Sequence, residues 1–133
     1  MNFVISHYLL VLVVFFGVDL LWLGVIARDF YNRELGPLRA DSTNWWAAGA
    51  FYLLFNLGLL LFAVSPAAAR GTLEMALGHG ALYGFFTYLT YDLTNLATLR
   101  DWPWKMSLVD IAWGTVLCTT TAGISTGLIL WLF

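Results

Sequence analysis

The chain has 133 residues, of which 61% are hydrophobic, 17% aromatic and only 11% charged, and its net charge is −2. Soluble domains carry about a quarter of charged residues, so the composition excludes a water-soluble monomer. The absence of a basic cluster excludes a nucleic-acid-binding protein, and a single cysteine excludes an internal disulfide. The chain is therefore predicted to be an integral membrane protein that contacts the lipid bilayer and no nucleic acid.

Four apolar stretches are long enough to cross a bilayer, whose core of about 30 Å needs roughly 20 helical residues. Each stretch is continuous rather than alternating, which favours helices over a β-barrel. The sequence therefore predicts an all-α integral membrane fold in which four transmembrane helices form an antiparallel bundle. This single domain covers residues 1–133, with spans at about 3–27, 45–68, 73–99 and 106–133.

Basic residues in the loops predict the orientation of the four spans. Two loops on one side hold most of them, whereas Arg70 is the basic residue in the loop on the other side. Because basic loops stay in the cytoplasm, both termini are predicted to lie outside. The basic residues of the two cytoplasmic loops are Arg28, Arg33, Arg39, Arg100 and Lys105.

The loop between spans one and two is interrupted by Gly36 and Pro37. This interruption predicts a short interfacial helix, then a turn, and then an N-cap residue in front of span two. The candidates for this N-cap are Asp41, Ser42 and Thr43.

The end of span one resembles the end of span three. The sequence VDLLWLGVIARDF begins at Val18, YDLTNLATLRDW begins at Tyr91, and the alignment places Asp19 on Asp92. A duplicated helical hairpin would explain the likeness, and so would chance similarity between two leucine-rich helix ends.

Carboxyl groups lie deep within the predicted spans. A helical rise places Asp19 about 13 Å from Arg28, and Asp92 about 12 Å from Arg100. Both acids therefore lie near the middle of the hydrocarbon. The carboxyl group of Asp110 is shallower, within about two turns of the start of span four.

Polar side chains accompany these acids at a similar depth, and no Lys or Arg does. A carboxylate at the bilayer centre costs roughly 3 kcal/mol, which favours a site for a proton, a cation or a small polar solute. A neutral hydrogen-bonded network that joins the helices is the alternative. The candidate binding residues are Asp19, Asn56, Asp92, Asn95 and Asp110.

Four aromatic residues are candidates to support this site. Asp19 and Trp22 are three residues apart, as are Asp110 and Trp113, so each indole faces the same way as its own carboxylate. The indoles could donate to those carboxylates, or they could be packing aromatics. The supporting residues are Trp22, Tyr88, Tyr91 and Trp113.

Motifs of enzymes and metal sites are missing from the sequence. There is no nucleophile elbow, P-loop or dinucleotide fingerprint, so no catalytic residue and no cofactor is assigned. His7, Glu74 and His79 fall in the outer third of their spans, but their spacing is not that of a metal-binding helix face. No metal site is predicted.

Small residues recur at a spacing of four on spans three and four. Such residues let helix backbones approach closely. One row of them can serve packing within the chain, and a second row suggests a homo-oligomer or a partner subunit. The predicted packing residues are Gly80, Gly84, Gly114, Gly123 and Gly127.

The sequence resembles the Domain of Unknown Function 2177 family of small bacterial membrane proteins. The matching motifs are DLLWLG, ARDFYNRELG, FAVSPA, YDLTNLATLRDWP and VDIAWGT, which are spread over the whole chain. The resemblance implies a four-helix protein of the bacterial cytoplasmic (inner) membrane. It implies no established activity, catalytic residue or cofactor, although the genes that accompany this family raise lipid chemistry as a setting.

Three functions are consistent with these observations. The first is the binding or passage of a proton, cation or small polar solute at the buried carboxylates. The second is an accessory subunit that docks by its small residues to a larger membrane complex. The third is a lipid-handling or lipid-modifying protein, and whether the chain is an enzyme stays open.

Overall fold

The computed structural model describes residues 2–133 and contains no β-strand within them. Helix α1 covers Asn2–Leu21 and continues into a π-helical turn at Trp22–Ile26. A short helix α2 follows at Arg28–Leu35, with a 3-10 turn at Gly36–Leu38. The next stretch consists of α3 at Trp45–Leu59, a π-helical turn at Leu60–Val64 and α4 at Ser65–Arg70. Two long helices complete the chain, α5 at Leu73–Thr98 and α6 at Trp104–Leu132.

Three helical stretches among the described residues are long and apolar enough to cross a membrane, namely Phe3–Ile26, Trp45–Arg70 and Trp104–Leu132. Helix α5 has 26 residues, which is also long enough, but it carries more polar side chains. The predicted all-α membrane fold is therefore confirmed, with three candidate spans. The fourth span and the antiparallel order of the whole bundle stay predictions.

The segment before α3 differs from its predicted capping. The side chain of Asn44 accepts a hydrogen bond of 3.2 Å from the backbone N–H of Ala47 and so caps the helix. The prediction of Asp41, Ser42 or Thr43 as the N-cap was wrong. Because the helix begins at Trp45, only the residue directly before it can reach the third helical amide.

A tight turn joins α4 to α5. Gly71 has a φ of +66°, a left-handed conformation that glycine adopts without steric cost. The backbone N–H groups of Gly71 and Thr72 bond to the carbonyls of Ala68 and Ala67, at 3.2 and 3.1 Å. These bonds satisfy the free carbonyls at the end of α4, so the chain reverses within two residues.

Helices α5 and α6 pack closely because glycines remove side chains from their contact. A Cβ atom added at Gly80 would lie 2.7 Å from the carbonyl oxygen of Cys118 and 2.8 Å from the Cβ atom of Ala122. One at Gly84 would meet the carbonyl of Gly114. Because higher residue numbers on α5 meet lower numbers on α6, these two helices run in opposite directions.

The other two predicted packing glycines differ from each other. A Cβ atom at Gly123 would lie 2.8 Å from the side chain of Leu77, so this glycine also belongs to the contact between α5 and α6. Gly127 has no heavy atom within 4 Å of such a Cβ atom. It therefore takes no part in the packing of the described residues.

Helix α6 is the centre of the arrangement, since α1 and α5 both pack against it. Helix α5 also contacts the π-helical turn at Leu60–Val64, while α3 packs on α1. Helices α3 and α5 contact each other where the hydroxyl of Tyr83 donates to the carbonyl of Phe55 at 2.8 Å. A pocket opens beside this contact, next to Asp110.

Candidate functional site

Asp19 is buried on α1, with 6% of its surface exposed, and two aromatic side chains donate to it. The indole Nε1–H of Trp113 on α6 donates to Oδ1 at 3.3 Å. The hydroxyl of Tyr52 on α3 donates to Oδ2 at 3.5 Å. Three helices therefore meet at this carboxyl group, and each of its oxygens has a donor.

Asp110 accepts its hydrogen bond from the short helix α2. The hydroxyl of Tyr31 donates to Oδ1 at 2.9 Å and itself accepts from the indole Nε1–H of Trp22 at 3.4 Å. Burial, with the negative charge of Asp110 as a second cause, raises the pKa of the Tyr31 phenol. Tyr31 is therefore held as a neutral donor that links the loop helix to the acid.

The two Asp-x-x-Trp motifs exchange their partners. Trp113 donates to Asp19 of the other motif, and Trp22 reaches Asp110 through Tyr31. The interpretation in which each indole donates to its own carboxylate was wrong. The indole rings of Trp22 and Trp113 stack with centroids 4.4 Å apart and planes 10° from parallel, so the motifs meet face to face across α1 and α6.

Asp92 on α5 is fully buried, and neither of its carboxyl oxygens accepts a hydrogen bond from a donor group in the described chain. The carboxyl group of Asp110 on α6 lies close to it. Two carboxylates offer only acceptors, so a hydrogen bond between these groups requires a proton on one of them.

No basic side chain compensates these acids in the part of the chain that the structure describes. The ion pair found among residues 2–133 joins Arg33 and Glu34 at 3.7 Å, on the exposed loop helix. Asp19, Asp92 and Asp110 thus come from three different helices. No basic side chain among the described residues balances their charge.

The two predicted amides do not share one environment. Asn56 is fully buried, and its Nδ2 donates to the carbonyl of Tyr52 at 2.9 Å, while its Oδ1 accepts no hydrogen bond. No hydrogen bond joins Asn56 to a carboxylate in residues 2–133, and its amide donates to its own helix instead. Asn95 is half-buried and lies next to the hydroxyl of Tyr91.

A pocket of about 380 Å³ lies beside Asp110, between α3 and α5. The rings of Phe51 and Phe55 form one wall, and they stack with centroids 5.2 Å apart. Tyr88 and Tyr91, with Thr87, form the other wall on α5. The two predicted supporting tyrosines therefore line a cavity that ends at a carboxyl group.

Tyr31 and Tyr52 were missed by the sequence analysis, although they supply donors to two of the acids. Nothing in the spacing of Tyr31 signals that α2 folds back onto α6. Tyr52 lies one turn from Asn56 on the same helix face, and this spacing was the available signal.

Three buried hydroxyl groups on α6 were also missed. The hydroxyls of Thr121, Ser125 and Thr126 are fully buried and have no hydrogen-bond partner in the part of the chain that the structure describes. In contrast, Thr119 and Thr115 on the same helix each donate to a backbone carbonyl four residues earlier.

Comparison with known proteins identifies the family of this chain. The model of a family described as predicted membrane proteins, DUF2177, matches residues 4–127. The chain belongs to this family.

The chain is also similar to the fluoride-specific ion channel FluC 1 of Cutibacterium acnes (strain DSM 16379 / KPA171202). It is 31% identical to this DUF2177 member over 104 residues, which cover 71% of this chain and 72% of the channel. No solved structure matches the chain.

Proposed function

We propose that the protein serves ion transport across a bacterial inner membrane by taking up and releasing a proton that Asp92 and Asp110 share. The observation that carries the proposal is the fully buried Asp92, whose oxygens have no donor and face a second carboxyl group. Adjacent carboxylates repel each other, and a shared proton removes one of the two charges. Asp19 is the neighbouring acid, and hydrogen bonds from two aromatic side chains stabilise its carboxyl group.

A proton suits this pair better than a metal ion. Metal sites in proteins collect several oxygen, nitrogen or sulfur ligands around one point. No group of three or more His, Cys, Asp or Glu side chains in the described residues is arranged to do so.

The proposal includes α5 as the fourth span of an antiparallel bundle with both termini outside. The hydroxyls of its threonines donate to carbonyls of their own helix, so these residues need no water and can face lipid. Their side chains count as polar in a hydropathy sum although their donors are satisfied. The threonines concerned are Thr90, Thr94 and Thr98.

Proteoliposomes that contain the purified chain and an internal pH-sensitive dye test the proposal. A potassium gradient with valinomycin sets the driving voltage, and we expect proton uptake by the unmodified chain. Asp92→Asn and Asp110→Asn should each abolish it, whereas the exposed Asp101 provides the matched control Asp101→Asn, which should not. Proton uptake that is absent, or that is equal in all variants, would refute the proposal.

A second candidate is the passage of a small anion, and the similarity to the fluoride-specific ion channel favours it. The indole and phenol donors around the acids are groups that can bind an anion. Fluoride-loaded proteoliposomes with an external fluoride electrode test this candidate. Fluoride efflux that persists in Asp92→Asn would support it over proton transfer, and the absence of efflux would reject it.

A further inference from the structure

The pocket beside Asp110 combines aromatic walls with a single carboxyl group. Phe51 and Phe55 face it from α3, Tyr88 and Tyr91 from α5, and Asp110 from α6. Its volume of about 380 Å³ lies in the range of small-molecule sites, which are mostly apolar with a few polar groups that fix orientation.

The charge of the pocket is uncompensated. No Lys or Arg lines it, and the ion pair found among residues 2–133 lies on the loop helix between Arg33 and Glu34. Besides the hydrogen bond from Tyr31 to Oδ1, the carboxyl group of Asp110 has the proton that it shares with Asp92, and a cation can replace this proton. A positively charged ligand would therefore balance the negative charge of the carboxylate.

The side chains that line the pocket favour an organic cation over an inorganic one. Small metal ions require several oxygen ligands, with carboxylates among them. The lining offers one carboxyl group and three neutral hydroxyls, those of Thr87, Tyr88 and Tyr91. Aromatic faces attract cations through the negative charge of their rings, and they do so for alkylated ammonium groups that carry their own apolar surface. The lining thus matches an organic cation in both shape and charge.

We propose that this pocket binds a monovalent organic cation, such as an alkyl or aryl ammonium group, with its charge against Asp110 and its apolar part against the aromatic rings that line the pocket. The inference rests on the proposed function, because Asp110 also shares the proton with Asp92. Binding of the cation favours the ionised carboxylate, so one proton leaves to solvent for each cation bound.

Benzyltrimethylammonium is a suitable probe, and neopentylbenzene is its neutral isostere. Calorimetric titration of the purified chain in detergent micelles should show saturable binding of the probe and none of the isostere. Asp110→Asn should weaken binding at least tenfold, and Phe55→Leu several-fold. Phe85→Leu, at a half-exposed phenylalanine outside the pocket, should bind like the unmodified chain.

Proton release in weakly buffered solution gives a second readout that a folding defect would not imitate. We expect about one proton per bound probe, and tighter binding as the pH rises. Equal binding of the neutral isostere, or binding unchanged in Asp110→Asn, would overturn the inference. If proton uptake in proteoliposomes depends on Asp92 but the probe does not bind, the inference alone fails; if the probe binds without any proton uptake, the proposed function fails.

Discussion

Asp19 and Asp110 differ from Asp92 in how their negative charge is accommodated. Two aromatic donors hold Asp19 and a tyrosine holds Asp110, whereas Asp92 has only a second acid beside it. A buried acceptor without a donor is costly, and in a functional site that cost is the reason for a group to gain or lose a proton. The contrast among three neighbouring acids therefore singles out Asp92.

The link between Tyr31 and Asp110 predicts a change of stability at alkaline pH. Burial, followed by the charge of Asp110, raises the pKa of Tyr31 above its usual value of 10.0. The unfolded phenol ionises first, so the stabilisation is complete below about pH 10 and is lost as the pH rises through the raised pKa. Unfolding in mixed micelles should therefore show a smaller alkaline loss for Tyr31→Phe than for the unmodified chain, and equal losses would contradict this assignment.

The unpartnered hydroxyl of Thr121 predicts a stabilising substitution. Thr121→Val keeps the shape and removes a buried group without a partner, so the free energy of unfolding should rise by about 1 kcal/mol. Thr119→Val is the matched control, because it deletes a hydroxyl that donates to the carbonyl of Thr115. Unfolding in mixed micelles measures both variants, and a larger loss for Thr121→Val than for Thr119→Val would contradict the assignment.

At this scale the sequence indicates the acids but not their partners. Helical rise and the position of the loops predict a similar depth for Asp19 and Asp92, and this depth stays a prediction. The donors could not be predicted, since Tyr31 and Trp113 lie 79 and 94 residues from the acids to which they donate, and their approach depends on the tertiary fold. For Asn56 the partner is local instead, since its amide donates to a carbonyl of its own helix, and the spacing of residues alone does not reveal this bond.

Glycines decide which helices can pair at the scale of elements. Gly80 and Gly84 allow the backbone of α5 to touch that of α6, while the open surroundings of Gly127 show that a similar spacing on α6 is not used within the chain. The spacing predicted close helix packing, but it could not tell which glycines face a neighbour, because that depends on the rotation of each helix.

Close contact at Gly80 predicts a strong effect of one added methyl group. In Gly80→Ala the new Cβ atom would meet the backbone of Cys118, and overpacking of this kind costs about 1–3 kcal/mol. Gly127→Ala adds the same methyl group where no atom lies within 4 Å. Thermal unfolding in micelles should show a clear loss for Gly80→Ala and almost none for Gly127→Ala; equal losses would rule out this packing.

The apolar runs predict the helices of the whole molecule because a membrane-spanning chain must bond its backbone internally. Three of the runs form helices that are long and apolar enough to cross a membrane. Hydropathy does not decide whether helix α5 spans the membrane. Its acid lies in the interior and its threonines bond to the helix itself, but all of them count as polar. Whether the molecule acts alone, as a homo-oligomer or with a partner subunit stays a prediction, since packing within the chain already uses most of the glycines named for it.

Infrared spectroscopy of the purified chain tests the shared proton most directly. A protonated carboxyl group has a carbonyl absorption distinct from that of a carboxylate, and this absorption shifts on exchange into D2O. We predict this band at neutral pH in the unmodified chain and in Asp101→Asn, and its loss in Asp92→Asn. A spectrum without a protonated carboxyl band, or a band that persists unchanged in both Asp92→Asn and Asp110→Asn, would contradict the account.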